Sequence, residues 1–327
     1  MYTKLDGGRV HPTEYSTCFS VRTTSHGGRI LILTLQPRIG LPRSMAVTYP
    51  KIVIGGGIIG SFTAYQLAKA GHKTLLLEQF SLPHTNGSSH GGSRITRKVY
   101  EQHFFTKMMP EAFDTWSEVE KLAEEKLYIE TGIAIFEGSP HTTFKKMRNT
   151  MDKCNLPYKI LTHKEISEKY PQLRFPEDYT ALIDPSGGIL SPDKAVPAVQ
   201  KLFKKYNGEL LDDCTVTNID PGDIVTIKTS KGDFKTESLV VCCGTWTKNL
   251  LKTTNLDLPL QLQKINVFYW EEKVPGQMSA ENGFPCFIAP FPPQELYFIP
   301  SMEYPGLVKV IFIIHYLIVL YKNLTYQ

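Results

Sequence analysis

The chain has little of what would make it a metalloprotein, a nucleic-acid binder or a membrane protein. Its six cysteines, Cys18, Cys154, Cys214, Cys242, Cys243 and Cys286, form no CxxC pair and stand beside no paired histidines. That spacing excludes the usual zinc frameworks and a thioredoxin-like redox pair, so no metal is expected. The neighbouring Cys242 and Cys243 lie in an apolar run and read as small buried hydrophobes of a reducing compartment. The formal charge is only +4 and the basic residues are scattered, so nucleic acid is not an expected partner. The apolar run Val310 to Tyr321 is flanked by Lys309 and Lys322. It falls short of the roughly 20 residues a spanning helix needs. No membrane contact is expected, and a buried strand or helix is the ordinary reading of such a run.

What is present suits an enzyme-sized α/β protein. With 327 residues and 42% apolar side chains, the chain can bury one large domain and a second. Residues 1–44 carry Arg9, Arg22, Arg29, Arg38 and Arg43 against Asp6 and Glu14 alone. That composition has the flavour of a transit peptide, but without a sustained period it is expected to be an unfolded extension. Met45 is a natural start just before the first strand.

The main signal begins at Lys51. Lys51 to Ile54 is a short β-branched run, followed at once by Gly55-Gly-Gly57-Ile-Ile-Gly60 and a helical stretch with Phe62, Tyr65 and Ala68 on one face. Thr74 to Leu77 reads as a second strand, and Glu78 stands at its end, about 20 residues beyond the glycines as a dinucleotide site requires. Gly55 permits the tight turn, Gly57 the approach of a pyrophosphate, and Gly60 close packing of helix on sheet. The helix N-terminus offers unpaired N–H groups to phosphate. Glu78 would accept from the adenosine ribose hydroxyls and repel a 2′-phosphate, which argues against NADP. FAD and NAD remain open on this motif alone.

The next segment is a Gly-, Ser- and Asn-rich loop bearing Arg94 and Arg97. The run Pro83-His-Thr-Asn-Gly-Ser-Ser-His-Gly-Gly-Ser-Arg94-Ile-Thr-Arg97 resembles the flavin-contacting loop of the monomeric sarcosine oxidase and peroxisomal sarcosine (L-pipecolate) oxidase family, within the D-amino-acid-oxidase-like flavoproteins. The likeness continues in order through Thr131 to Phe136, Ser186 to Leu190, Val240 to Trp246, Ile265 to Trp270, Phe284 to Phe287 and Tyr304 to Lys309, and so covers about Lys51 to Val310.

The resemblance implies an α/β protein with a Rossmann-type FAD-binding domain and an interleaved α+β substrate domain on a mixed or antiparallel sheet. The FAD-binding domain would take 49–97 and 190–257, and the substrate domain 99–188 and 258–309. It implies FAD as cofactor, bound by Gly55, Gly57, Gly60, Glu78, Ser88, Ser89, His90, Gly91, Arg94, Val216 and Gly244. At the reacting end it implies Arg94 over the flavin, Arg97 and Tyr297 on the substrate carboxylate and pocket, and Lys309 in oxygen activation. The partners would be a small secondary-amine amino acid and O2, giving imine and hydrogen peroxide, in a monomer. A planar guanidinium suits the carboxylate, and positive charge near the flavin suits a reduced ring.

Past Val310 the likeness stops. Phe312 and Ile313 stand where the family carries a tyrosine and a histidine, and the family's thioether cysteine and returning FAD-domain segment have no counterpart in the remaining residues. Residues 310–327 are therefore expected to be a non-family tail. A peroxisomal location is implied by the family, while the closing Leu-Thr-Tyr-Gln is no Ser-Lys-Leu signal, which leaves the cytosol open. Two alternatives are carried: a non-catalytic FAD-binding remnant, and an NAD-dependent dehydrogenase.

Overall fold

The computed structural model describes residues 15–20, 47–291 and 294–314, with backbone alone for 15–20, 291 and 314. A six-stranded sheet carries the glycine motif. Its order from one edge is Glu209–Leu211, Thr74–Leu77, Val47–Ile54, Gly232–Val241, Val225–Thr229 and Val216–Asp220. The first four strands are parallel, and the last two continue antiparallel from Gly232–Val241. Thr74–Leu77 is buried throughout, as expected of a central parallel strand covered on both faces.

Alternation along the strands sorts the two cores. Val53 and Leu76 face a cluster with Ala64 and Tyr65 of helix Ile58–Lys69 and Val199, Leu202 and Phe203 of helix Pro192–Lys205. Ile52, Ile54, Leu75 and Leu77 face the opposite cluster, closed by Ile219, Val225 and Ile227 of the antiparallel flap. Pro192 at the first turn and the apolar stripe behind it start the second helix where the sequence places it.

The second sheet has eight strands, in the order Tyr15–Ser20, Gln261–Glu271, Leu307–Ile314, Gln294–Tyr304, Cys286–Phe291, Ile133–Glu137, Thr180–Asp184 and Lys159–Leu161. It is antiparallel except where Cys286–Phe291 runs parallel to Ile133–Glu137. A small third sheet, with Gly188–Leu190 between Arg94–Thr96 and Tyr128–Glu130, joins the two.

Three placements differ from expectation. Within the segment expected to stay unfolded, Tyr15–Ser20 pairs antiparallel with Gln261–Glu271. Its Tyr-Ser-Thr-Cys-Phe-Ser run suits a strand, and the edge of Gln261–Glu271 offers unpaired backbone groups. Helix His103–Ala123, assigned by sequence to the substrate domain, bonds Thr150 of helix Thr142–Lys153 through Thr106 at 3.3 Å, and also buries Val119 and Ala123 against Tyr65 and Phe203. Trp116 meets Phe62 edge-on, with ring centroids 5.1 Å apart. Trp116, Val119, Leu122 and Ala123 form its apolar stripe against Phe62 and Tyr65 of the glycine-motif helix, and helices bury such stripes wherever a matching face is nearest. Finally, the strand ending the second sheet runs on through Val310 to Ile314, so the first residues of the expected tail are strand, with Val310 only 1% exposed. The rest of that tail, and of the first 44 residues, lies outside the described residues.

Candidate functional site

The glycine turn has a steric reason at each position. Strand Val47–Ile54 ends at Gly55, where φ is +105°, a region open to glycine. A Cβ added there would lie 2.3 Å from the Cys242 carbonyl oxygen. On Gly60 it would lie 1.8 Å from the carbonyl oxygen of Gly55, and on Gly57 3.1 Å from Ser89 Oγ. Gly57 caps the helix without a side chain, and the Ser89 hydroxyl accepts from the Ile58 N–H at 3.0 Å. Ser89 thus brings the loop onto the helix N-terminus, the end that attracts phosphate.

Glu78 is 5% exposed. Its carboxylate accepts from the Gly56 N–H at 2.6 Å and the Phe80 N–H at 3.0 Å, and His84 Nε2 lies 3.4 Å away. The Cys214 N–H donates to the Glu78 carbonyl at 2.8 Å, and Val216, two residues after Cys214, opens the edge strand and pairs with Thr229. Sequence reasoning missed Gly56. Its carbonyl accepts from Ser61 Oγ and Gln200 Nε2, both at 2.9 Å. Gln200, a polar residue beside the apolar stripe of helix Pro192–Lys205, was the available signal.

Gly55, Glu78 and Gly244 follow the carboxyl ends of three neighbouring parallel strands, where open α/β sheets bind ligands. Gly244, with φ +51°, opens a short turn to Trp246. The loop is folded over this end by Arg94, which donates to the carbonyls of Ser93 (2.8 Å), His90 (2.8 Å) and Ser88 (3.2 Å). Gly91, with φ +91°, turns the loop, and its carbonyl accepts from the Asp193 N–H at 3.2 Å.

Arg97 lies just past strand Arg94–Thr96. Its Nε donates to the Val99 carbonyl at 3.1 Å, and its guanidinium carbon sits 4.5 Å above the Tyr100 ring. Among the described residues no carboxylate lies within 4.0 Å of it. The backbone behind it is fixed by buried Asp184, which accepts from Lys98 N–H at 2.7 Å and from Ser186 Oγ at 2.7 Å. Tyr297 shares the electrostatic field of Arg97. Burial pushes its phenol up to about 12, Glu295 adds to this, and the Arg97 charge opposes it. Its hydroxyl donates to Glu295 at 3.2 Å.

Lys309 is 3% exposed. Its ammonium pairs with Glu303 at 3.1 Å, donates to Ser93 O and Oγ at 3.3 Å, and lies 5.5 Å from the Tyr269 ring centre. Arg94 and Lys309 thus both donate to the Ser93 carbonyl of the loop, and Arg97 follows at the loop's end. Glu303, which sequence reasoning passed over, is the carboxylate that meets Lys309 and the loop here. Among the described residues no group of three or more His, Cys, Asp or Glu could hold a metal, and no helix is long and apolar enough to cross a membrane.

Fold and site together define a two-sheet protein of the dinucleotide-binding class, with Arg94 and Lys309 on the loop beside the glycine turn. A family model described as FAD dependent oxidoreductase (DAO) matches residues 52–309. Peroxisomal sarcosine oxidase of Mus musculus is 40% identical over 260 residues, 79% of this chain and 67% of its own length. Monomeric sarcosine oxidase of Bacillus sp. (strain B-0618) is 32% identical over 268 residues, 80% of this chain and 68% of its own. The solved structure of L-proline dehydrogenase from P. horikoshii shares the fold, with a TM-score of 0.69 at 21% identity over 81% of this chain and 70% of that one. The chain belongs to the DAO family of FAD-dependent oxidoreductases, and its cofactor class is FAD rather than the NAD carried as an alternative. The residues present fit the adenosine and pyrophosphate end of FAD: a turn that a Cβ would fill, a helix N-terminus and a buried acid.

Proposed function

We propose that this chain binds FAD and oxidises a secondary-amine amino acid of the sarcosine or L-pipecolate kind, passing the electrons to O2. The observation that carries the reading is Arg97, a guanidinium with no carboxylate partner among the described residues, whose charge acts on buried Tyr297. A planar, always charged group in that setting suits a substrate carboxylate. Bound FAD supplies the two-electron acceptor. The protein's part is to hold the ribose and pyrophosphate with Glu78 and the glycine turn, to fold the loop over with Arg94, to orient the substrate through Arg97 and Tyr297, and to place the Lys309 charge at the reacting end. The names of the mouse and bacterial relatives support the substrate class, and that of the mouse protein supports a peroxisomal location.

The test is anaerobic mixing of the FAD-loaded chain with sarcosine and with L-pipecolate. Bleaching of the oxidised-flavin absorbance by either, followed by peroxide release on admitting air, is the expected result. An unchanged spectrum with both amino acids contradicts the oxidase reading and favours a non-catalytic FAD-binding remnant.

Noncovalent retention of FAD is part of the same proposal. Thiols attack as thiolates, and burial pushes Cys286 up to about 12, against a hydrogen bond from Thr131. Burial likewise raises Cys242 and Cys243. Acid precipitation of the loaded chain is expected to leave the flavin in the supernatant, and yellow colour in the washed pellet contradicts this.

A further inference from the structure

The Glu303 carboxylate gathers three donors: the Gly92 N–H at 2.8 Å, Ser93 Oγ at 2.7 Å and Lys309 Nζ at 3.1 Å. A Cβ on Gly92 would fall 2.6 Å from Glu303 Cγ, so glycine at that position is what lets strand Gln294–Tyr304 approach the loop. The Ser93 carbonyl accepts from both Arg94, at 2.8 Å, and Lys309, at 3.3 Å. Two cations therefore converge on one oxygen.

We propose that Glu303 is the positioning residue of this site: it pins the Lys309 ammonium against the Gly92–Ser93 turn and keeps it protonated beside Arg94. The guanidinium does not give up its charge. Burial and like charge both drive a neighbouring amine to lose its proton, and a carboxylate in contact reverses that drive. Among the described residues, the charged and titratable groups facing Lys309 include Glu303 from the partner strand of its hairpin, Arg94 through Ser93 on the loop, and the Tyr269 ring from strand Gln261–Glu271. Of these, Glu303 supplies the negative charge. Burial by itself would push the Glu303 carboxyl up. The Lys309 charge, the Ser93 hydroxyl and the Gly92 N–H outweigh it and hold the group below the usual carboxylate range. Glu303 acts on the reaction through Lys309, and in this the inference rests on the placement of Lys309 at the reacting end proposed above.

The test is competitive acetylation of the full chain with acetic anhydride between pH 6 and 10, read at Lys309 by mass spectrometry. It needs neither flavin nor substrate, so its failure is distinguishable from failure of the oxidase reading. In the parent chain Lys309 should stay poorly reactive across neutral pH. In Glu303→Gln its titration midpoint should fall by about one pH unit or more, giving roughly tenfold faster labelling near pH 8, with Glu303→Asp in between. A midpoint unmoved in Glu303→Gln, or a rate raised equally at every pH as simple loosening would give, overturns the proposal. Should Glu303→Gln fail to fold, the double variant Glu303→Gln/Lys309→Met decides. Removing both charges should restore a cooperative melt, because the fault is an unpaired buried cation, and no restoration overturns the proposal.

Discussion

Gly60→Ala is expected to abolish FAD retention and to lower stability by about 3 kcal/mol or more, at or above the usual upper range for overpacking. The reason is geometric. The new Cβ would lie 1.8 Å from the Gly55 carbonyl oxygen, and both are backbone-anchored, so relief requires the helix Ile58–Lys69 to lift from the sheet. That lift opens the Tyr65 and Phe203 core and moves the N–H groups that would face the pyrophosphate. By the same scale FAD affinity should fall roughly 100-fold or more. Gly71→Ala is the control. It also has positive φ, at +85°, but nothing lies within 4 Å of its Cβ, so it should cost about 1 kcal/mol of backbone strain and leave FAD affinity unchanged. Flavin fluorescence titration with a thermal melt reads both. Equal FAD affinity in the two variants would contradict the steric account of the turn.

Arg97→Ala should slow substrate-driven flavin reduction at low substrate by roughly 100-fold, the loss expected for a charge-assisted pair worth about 3 kcal/mol. It should do so with little loss of stability. Among the described residues Arg97 makes one bond to the Val99 carbonyl and one contact to the Tyr100 ring, the latter worth about 0.5–1 kcal/mol. Arg97→Lys should recover only part of the rate, because an ammonium cannot present two parallel donors to a carboxylate. Stopped-flow reduction under nitrogen, with the melt as control, separates the roles. A rate within about threefold of the parent for Arg97→Ala would remove Arg97 from the carboxylate site.

The glycine turn was legible in the sequence because its conformation is dictated locally. Gly55, Gly57 and Gly60 answer clashes within the turn, the strand beside it or the loop that covers it, and Glu78 needs only to end the adjacent strand. The loop arginines were legible as residue types, and the resemblance supplied their roles. Glu303 was not, because its partners Gly92 and Ser93 lie more than 200 residues away in the chain, and a lone glutamate on a strand carries no periodic mark. The docking of helix His103–Ala123 on helices Ile58–Lys69 and Pro192–Lys205 was hidden for a related reason: an apolar stripe announces that a face is buried, not against what. The strand at Tyr15–Ser20 was missed because six residues of mixed hydroxyl and aromatic character are strand only if an edge is there to pair with.

Titration of the purified chain with FAD tests most directly whether the cofactor occupies the turn that begins at Gly55. Saturable binding that quenches flavin fluorescence, raises the melting temperature and is lost in Gly60→Ala is the predicted result. A chain that melts cooperatively yet leaves the flavin signal and the melt unchanged would contradict it.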